Sequence, residues 1–263
     1  MIVDSHCHLD LIEEKGLNIN EVINNARKNG VTILQTISTK ISHFQDIKKF
    51  VDQYDNVYCS LGNHPCNVKE EGVVSADKII DLCRNNSKII GIGETGLDYF
   101  HDTSFVDQQK KSFLSHINAS QETGLPLIIH SRDCDEDMID ILKQEQKSKR
   151  FPALLHCFSS SKRLAEEAVN LGIYISFSGI VTFKNAKIVQ EVALYTPEDM
   201  ILVETDSPYL APTPYRGQIN QPAYTANTVD FLANLRGIDK DYFAKKTTDN
   251  FCKLFNFDKS LVT

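Results

Sequence analysis

The sequence predicts an α/β fold, a (β/α)8 TIM barrel forming a single domain, and three observations point there. Short apolar runs without polar alternation recur along the chain, as they do in strands buried on both faces. Amphipathic stretches with an apolar residue every three or four positions separate them. The units repeat every 25 to 35 residues or so, and eight of them fill the 263-residue chain, an ordinary size for one closed barrel.

The elements follow in order. Residues 2 to 6 read as the first strand, and Val31 to Ile37, Val57 to Leu61 and Lys88 to Ile92 as the next three. Leu125 to Ile129, Ala153 to Leu155, Ile173 to Phe177 and Met200 to Val203 complete the eight. Phe105 to Thr123 and Cys134 to Lys149 carry helical periodicity. The proline-bearing segment Ala211 to Pro222 reads as a long loop after the eighth strand, and Thr247 to Phe255 as a capped helix that closes the barrel. An open doubly wound sheet is the alternative, but no G-x-G-x-x-G turn follows the first strand.

Composition narrows the function. No apolar run approaches the roughly 18 residues that cross a bilayer, and the N-terminus lacks the features of a signal peptide, so a cytoplasmic protein without membrane contact is expected. Seven cysteines with no C-x-x-C pair read as reduced, packed thiols. A formal charge of −7 excludes a broad basic footprint for nucleic acid, though not a local cationic site. Nothing in the chain implies an obligatory protein partner.

Polar residues close the strands. "VDSHCHLD" sets His6 and His8 on one face of an extended segment, because alternate side chains share a face. "IIGIGETGLDY" supplies Glu94, "LPLIIHSRD" His130, "ALLHCFSSS" His156 and "MILVETDSPYLAP" Glu204 and Asp206. In a barrel the C-terminal ends of all strands meet at one mouth, where active sites are built. Four imidazoles and two carboxylates are enough for two divalent metal ions, each with a position left open for water. Glu94 is placed to bridge them, with His6, His8 and Asp206 on one ion and His130 and His156 on the other.

These stretches, with "LGNHP" and the late "KTTDNFCKLF", occur in the order of a known family. The sequence resembles the TatD family of metal-dependent deoxyribonucleases, within the amidohydrolase-like barrel superfamily. The resemblance implies the same six ligands, with Zn, Mg or Mn as the metal, and hydrolysis of DNA phosphodiester bonds through a metal-activated water. It also implies attack from the 3′ end of single strands. Asp206 is the candidate general base, and His64 and Arg132 are candidates for holding phosphate, Arg132 through its planar fork.

Other residues carry weaker expectations. Asp98 and Tyr99 are candidates for supporting or rim groups, and Glu204 for positioning Asp206 or the substrate. His43, His101 and His116 read as surface residues, and Cys7 and Cys157 as packed neighbours facing away from the ligands. The chain departs from the family at Cys66, where a histidine is common, and at Gln218, Ile219 and Gln221, where Lys, Arg and Glu are frequent. The alternative function is a related barrel hydrolase acting on a small-molecule amide or ester, since the same chemistry attacks carbonyls.

Overall fold

Strand β1 (Ile2–Cys7) pairs in parallel with β2 (Val31–Thr36), which pairs with β3 (Val57–Leu61) and so on through β4 (Ile89–Asp98), β5 (Leu127–Arg132), β6 (Ala153–Leu155), β7 (Tyr174–Phe177) and β8 (Ile201–Val203). The computed structural model describes residues 1–84 and 86–262. Beyond β8 the chain returns to β1: Asp206 N–H donates to His6 O at 2.9 Å and His8 N–H to Ser207 O at 2.8 Å. With helices between successive strands, the architecture is the (β/α)8 barrel that the sequence predicts.

The core has two layers. Outward-facing residues such as Leu34, Leu61, Leu127, Leu155 and Val203 pack against the surrounding helices. Inward-facing Val3, Ile33, Ile90, Ile128, Leu154, Tyr174 and Leu202 fill the barrel and meet Phe251 and Phe255 from the last long helix. Because the strand period is two, the same inward rows continue from Ile128 to His130, from Leu154 to His156 and from Leu202 to Glu204. The barrel is therefore apolar at its floor and polar at its mouth.

Three elements differ from expectation: the fifth strand, expected over Leu125 to Ile129, starts at Leu127 and runs on to Arg132. The fourth strand was expected over Lys88 to Ile92, but it runs on to Asp98, so Glu94 lies within the strand. Glycine is the reason: Gly93 and Gly96 have φ of 131° and 141°, and a Cβ on either would collide with the carbonyl oxygen of Ile128 or His130. The register shift between Ile92 and Thr95 is a bulge that re-aims Glu94. The closing helix spans Lys240–Leu254 and so starts earlier than Thr247, because the Asp239 carboxylate caps it by accepting from Tyr242 N–H at 2.8 Å. Among the described residues no helix is long and apolar enough to cross a membrane.

Candidate metal centre

The barrel mouth opens into a cavity of about 1400 Å³. His8, Glu94, His130, His156 and Asp206 line it, and His6 lies fully buried beside them. Residues up to 200 positions apart thus meet at one place because parallel strands end together.

His6 and His8 are not merely on one side of the chain. Their Nε2 atoms converge to 3.3 Å, with His6 Nε2 3.4 Å from Glu94 Oε2 and His8 Nε2 3.3 Å from Asp206 Oδ1. The diagonals, His6 to Asp206 and His8 to Glu94, are 3.7 and 4.0 Å. Ligands about 2.1 Å from a shared cation lie roughly 3.4 Å apart at tetrahedral angles and roughly 3.0 Å apart at octahedral ones. This first donor set has that spacing.

The other oxygen of Glu94 faces a second set. Glu94 Oε1 is 3.0 Å from His130 Nδ1 and 2.7 Å from His156 Nε2, and those two nitrogens are 3.4 Å apart. Among the described residues, only imidazoles pair with Glu94 and Asp206; no lysine or arginine does. The donors pull positive charge inward. Burial opposes charge on His8, but the hydrogen bond and charge of Asp206, with Glu94, raise it to about 9. His130 and His156 are likewise raised against burial by their carboxylate partners. Glu94 is held well below the carboxylate range because imidazoles outweigh its burial. Oxygen and imidazole donors at these separations fit divalent cations.

Behind the second set stand two further carboxylates. Asp98, fully buried, accepts from His130 Nε2–H at 2.9 Å and His101 Nδ1–H at 2.8 Å. With a cation bound, that bond would keep the proton on Nε2 and turn Nδ1 of His130 to the ion as a ligand. Glu204 Oε1 accepts from Cys157 N–H at 2.7 Å and lies 3.4 Å from His156 Nδ1. Glu204 was expected to position Asp206 or the substrate; it stands behind His156, because the inward row of β8 comes close to that of β6, two strands round the barrel.

His64 caps the short turn after β3, its Nδ1 accepting from Cys66 N–H at 3.1 Å. Its proton therefore sits on Nε2, 3.4 Å from Glu94 Oε1, and burial keeps the ring neutral, its pKa lowered to about 3. A protonated nitrogen is a donor, not a ligand. Arg132, at the end of β5, lines the cavity and stacks on Phe100 with its guanidinium carbon 4.0 Å from the ring centroid.

The chain matches the model of the TatD related DNase family over residues 3–256. It belongs to that family. A relative from Buchnera aphidicola, described as an uncharacterized metal-dependent hydrolase, is 44% identical over 97% of this chain and 96% of its own. YcfH of Escherichia coli, described in the same words, is 39% identical over 98% and 97%. The crystal structure of YJJV, a TatD homologue from Escherichia coli, superposes with a TM-score of 0.88 at 28% identity, covering 97% of this chain and 98% of that one.

Against this TatD frame, three expectations about other residues are corrected. His116 is wholly buried, its Nδ1–H donating to Ser112 O at 2.7 Å and its Nε2 accepting from Asn63 N–H at 3.1 Å. His101 is half-exposed but belongs to the site through Asp98. Cys157 does not face away: it lies past the end of β6 with φ of 44°, so strand alternation no longer governs it, and it lines the cavity. Cys7 is buried and His43 exposed, as expected. Cys66, Gln218, Ile219 and Gln221 are not among the residues lining the cavity.

Proposed function

We propose that this TatD-family protein is a metal-dependent hydrolase of DNA phosphodiester bonds, acting from the 3′ end of single strands. His6, His8 and Asp206 would hold one divalent ion, His130 and His156 a second, and Glu94 both. The observation that carries the reading is the split of Glu94, with Oε2 towards the first donor set and Oε1 towards the second. When bound, such ions supply Lewis acidity, acidifying water and offsetting the negative charge that builds on phosphoryl oxygens.

The residues of the chain do the rest. Asp206, whose ionised form is favoured by the hydrogen bond from His8 and the charge of His6 despite burial, would take the proton of the attacking water on the carboxylate oxygen turned away from the first donor set. His64 donates from Nε2–H to a phosphate oxygen, and Arg132 offers a second donor pair at the rim. Asp98 and Glu204 fix the rings of His130 and His156. A phosphate, with several oxygens to hold, uses this donor arrangement more fully than a neutral amide does.

The test loads the protein with Zn, Mg or Mn separately and counts bound metal. It then supplies 3′- and 5′-labelled single strands, duplex DNA, and amide and ester substrates, alongside Glu94→Ala. Shortening from the 3′ end that requires Glu94 is the expected result. Turnover of an amide or ester with DNA untouched overturns the reading.

A further inference from the structure

Two large aromatic side chains stand partly open at the cavity. Phe100 is 57% exposed and Tyr209 50%, and both line the cavity that holds the candidate centre. An exposed aromatic ring that lines a cavity offers a flat face against which a planar ligand can stack.

Neither ring sits on a free loop. Asp98 Oδ1 accepts from the backbone N–H groups of Phe100 and His101 at 3.0 and 2.9 Å, while its Oδ2 holds His130. One carboxylate therefore fixes both an imidazole of the centre and the backbone of Phe100. Tyr209 is tied through the main chain, its N–H donating to the carbonyl oxygen of Asp206 at 3.0 Å. Arg132 lies over the ring of Phe100, stiffening it and adding positive charge to one side.

Charge shows why rings are needed. Besides imidazoles, Arg132 is the one cationic residue among the described residues that line the cavity, against Asp133, Asp135, Glu136 and Asp137 on the same rim. A polyanion cannot gain much affinity here from phosphate contacts along its backbone. Stacking on aromatic faces is the other general source of affinity for nucleic acid, and it tolerates any base. A base inside a duplex has both faces covered by its neighbours, whereas an unpaired base can give one to a side chain.

We propose that Phe100, backed by Arg132, and Tyr209 form a base-stacking platform that receives unpaired bases beside the scissile bond and makes the enzyme select single strands. This rests on the DNA reading above. It adds the residues that set strand preference, and it predicts an affinity only weakly dependent on salt.

The test uses metal-loaded protein and a single-stranded oligonucleotide with 2-aminopurine near its 3′ end. Fluorescence should be quenched on binding to the wild type, less so with Phe100→Ala or Tyr209→Ala, and again with Phe100→Trp. In steady-state cleavage the alanine variants should raise KM roughly ten- to a hundredfold, with a smaller effect on kcat, and lose the preference for single strands over duplex. The slope of log affinity against log salt should be shallower than about −2, matching few phosphate contacts. If wild type cleaves single strands while both alanine variants keep its KM, quenching and strand preference, the platform is refuted and the nuclease reading stands. If wild type neither binds nor cleaves DNA, both fall together.

Discussion

The half of the centre around His130 and His156 has a carboxylate behind each imidazole, whereas the half around His6 and His8 has none. Asp98 and Glu204 approach the outer nitrogens of the first pair at 2.9 and 3.4 Å. Among the described residues, Nδ1 of His6 and of His8 has no hydrogen-bond partner. The unsupported half is instead oriented by packing: the His6 ring stacks on His156 with centroids 3.9 Å apart, and both rings sit in a fully or nearly fully enclosed position. A ring held by a carboxylate is fixed in tautomer and made more basic, while one held by packing is fixed in place only. The two halves should therefore differ in how tightly they grip a cation, although both converge on Glu94.

The largest effect should come from removing what the halves share. Glu94→Ala takes an oxygen from each donor set and leaves the imidazoles of His6, His8, His64, His130 and His156 without their common partner, so kcat/KM should fall roughly a thousandfold or more. Metal counting on the purified variant should show loss from both halves. If one half keeps its ion at full occupancy, the carboxylate does not join them.

A second break targets the scaffold beneath the supported half. His116 accepts from the backbone of Asn63, next to His64, and is buried, which lowers its pKa from 6.5 to about 4. In the unfolded chain it takes up a proton below about pH 6.5; in the folded chain it does so only near pH 4. The stability from its neutral form is thus complete above pH 6.5 and is lost as pH falls towards 4, by about 3 kcal/mol in full. Urea unfolding at pH 7 and at pH 4.5 measures it. His116→Gln keeps an acceptor for Asn63 but has nothing to titrate, so its stability should drop less between the two conditions. An equal drop in both proteins would assign the acid sensitivity elsewhere.

These supports mark where sequence reading stops. The barrel and the six converging residues were legible, because buried parallel strands leave continuous apolar runs and their polar ends must share one mouth. Which carboxylate backs which imidazole was not, since that depends on barrel register and on how the inward rows of neighbouring and next-neighbouring strands meet at the mouth. Glu204 sits two residues from Asp206 yet serves His156, and no spacing rule carries that. His116 falls on a helix whose pattern hides its burial: Gln109, Ser112 and Ser120 are also buried there, so polarity does not mark the exposed face. Cys157 and the long fourth strand were missed for a local reason, namely backbone conformations with positive φ that break strand alternation.

The smallest of these effects is also the sharpest test of the asymmetry. Asp98→Asn and Glu204→Gln keep size and hydrogen bonding but remove the charge that makes His130 and His156 better donors. Loss of such a supporting carboxylate costs about 10- to 100-fold in metal affinity. Competition with a chromophoric chelator should therefore show the ion of the supported half weakened in either variant and the other unchanged, bringing two separated titration steps closer together. Cobalt substitution gives an independent readout, because the visible bands of the affected ion shift when its imidazole donor changes while those of the other stay in place. If both ions weaken equally, Asp98 and Glu204 support the whole centre through Glu94, and the two halves are one unit. If neither weakens, the imidazoles behind which they stand are held by packing alone, as His6 and His8 are.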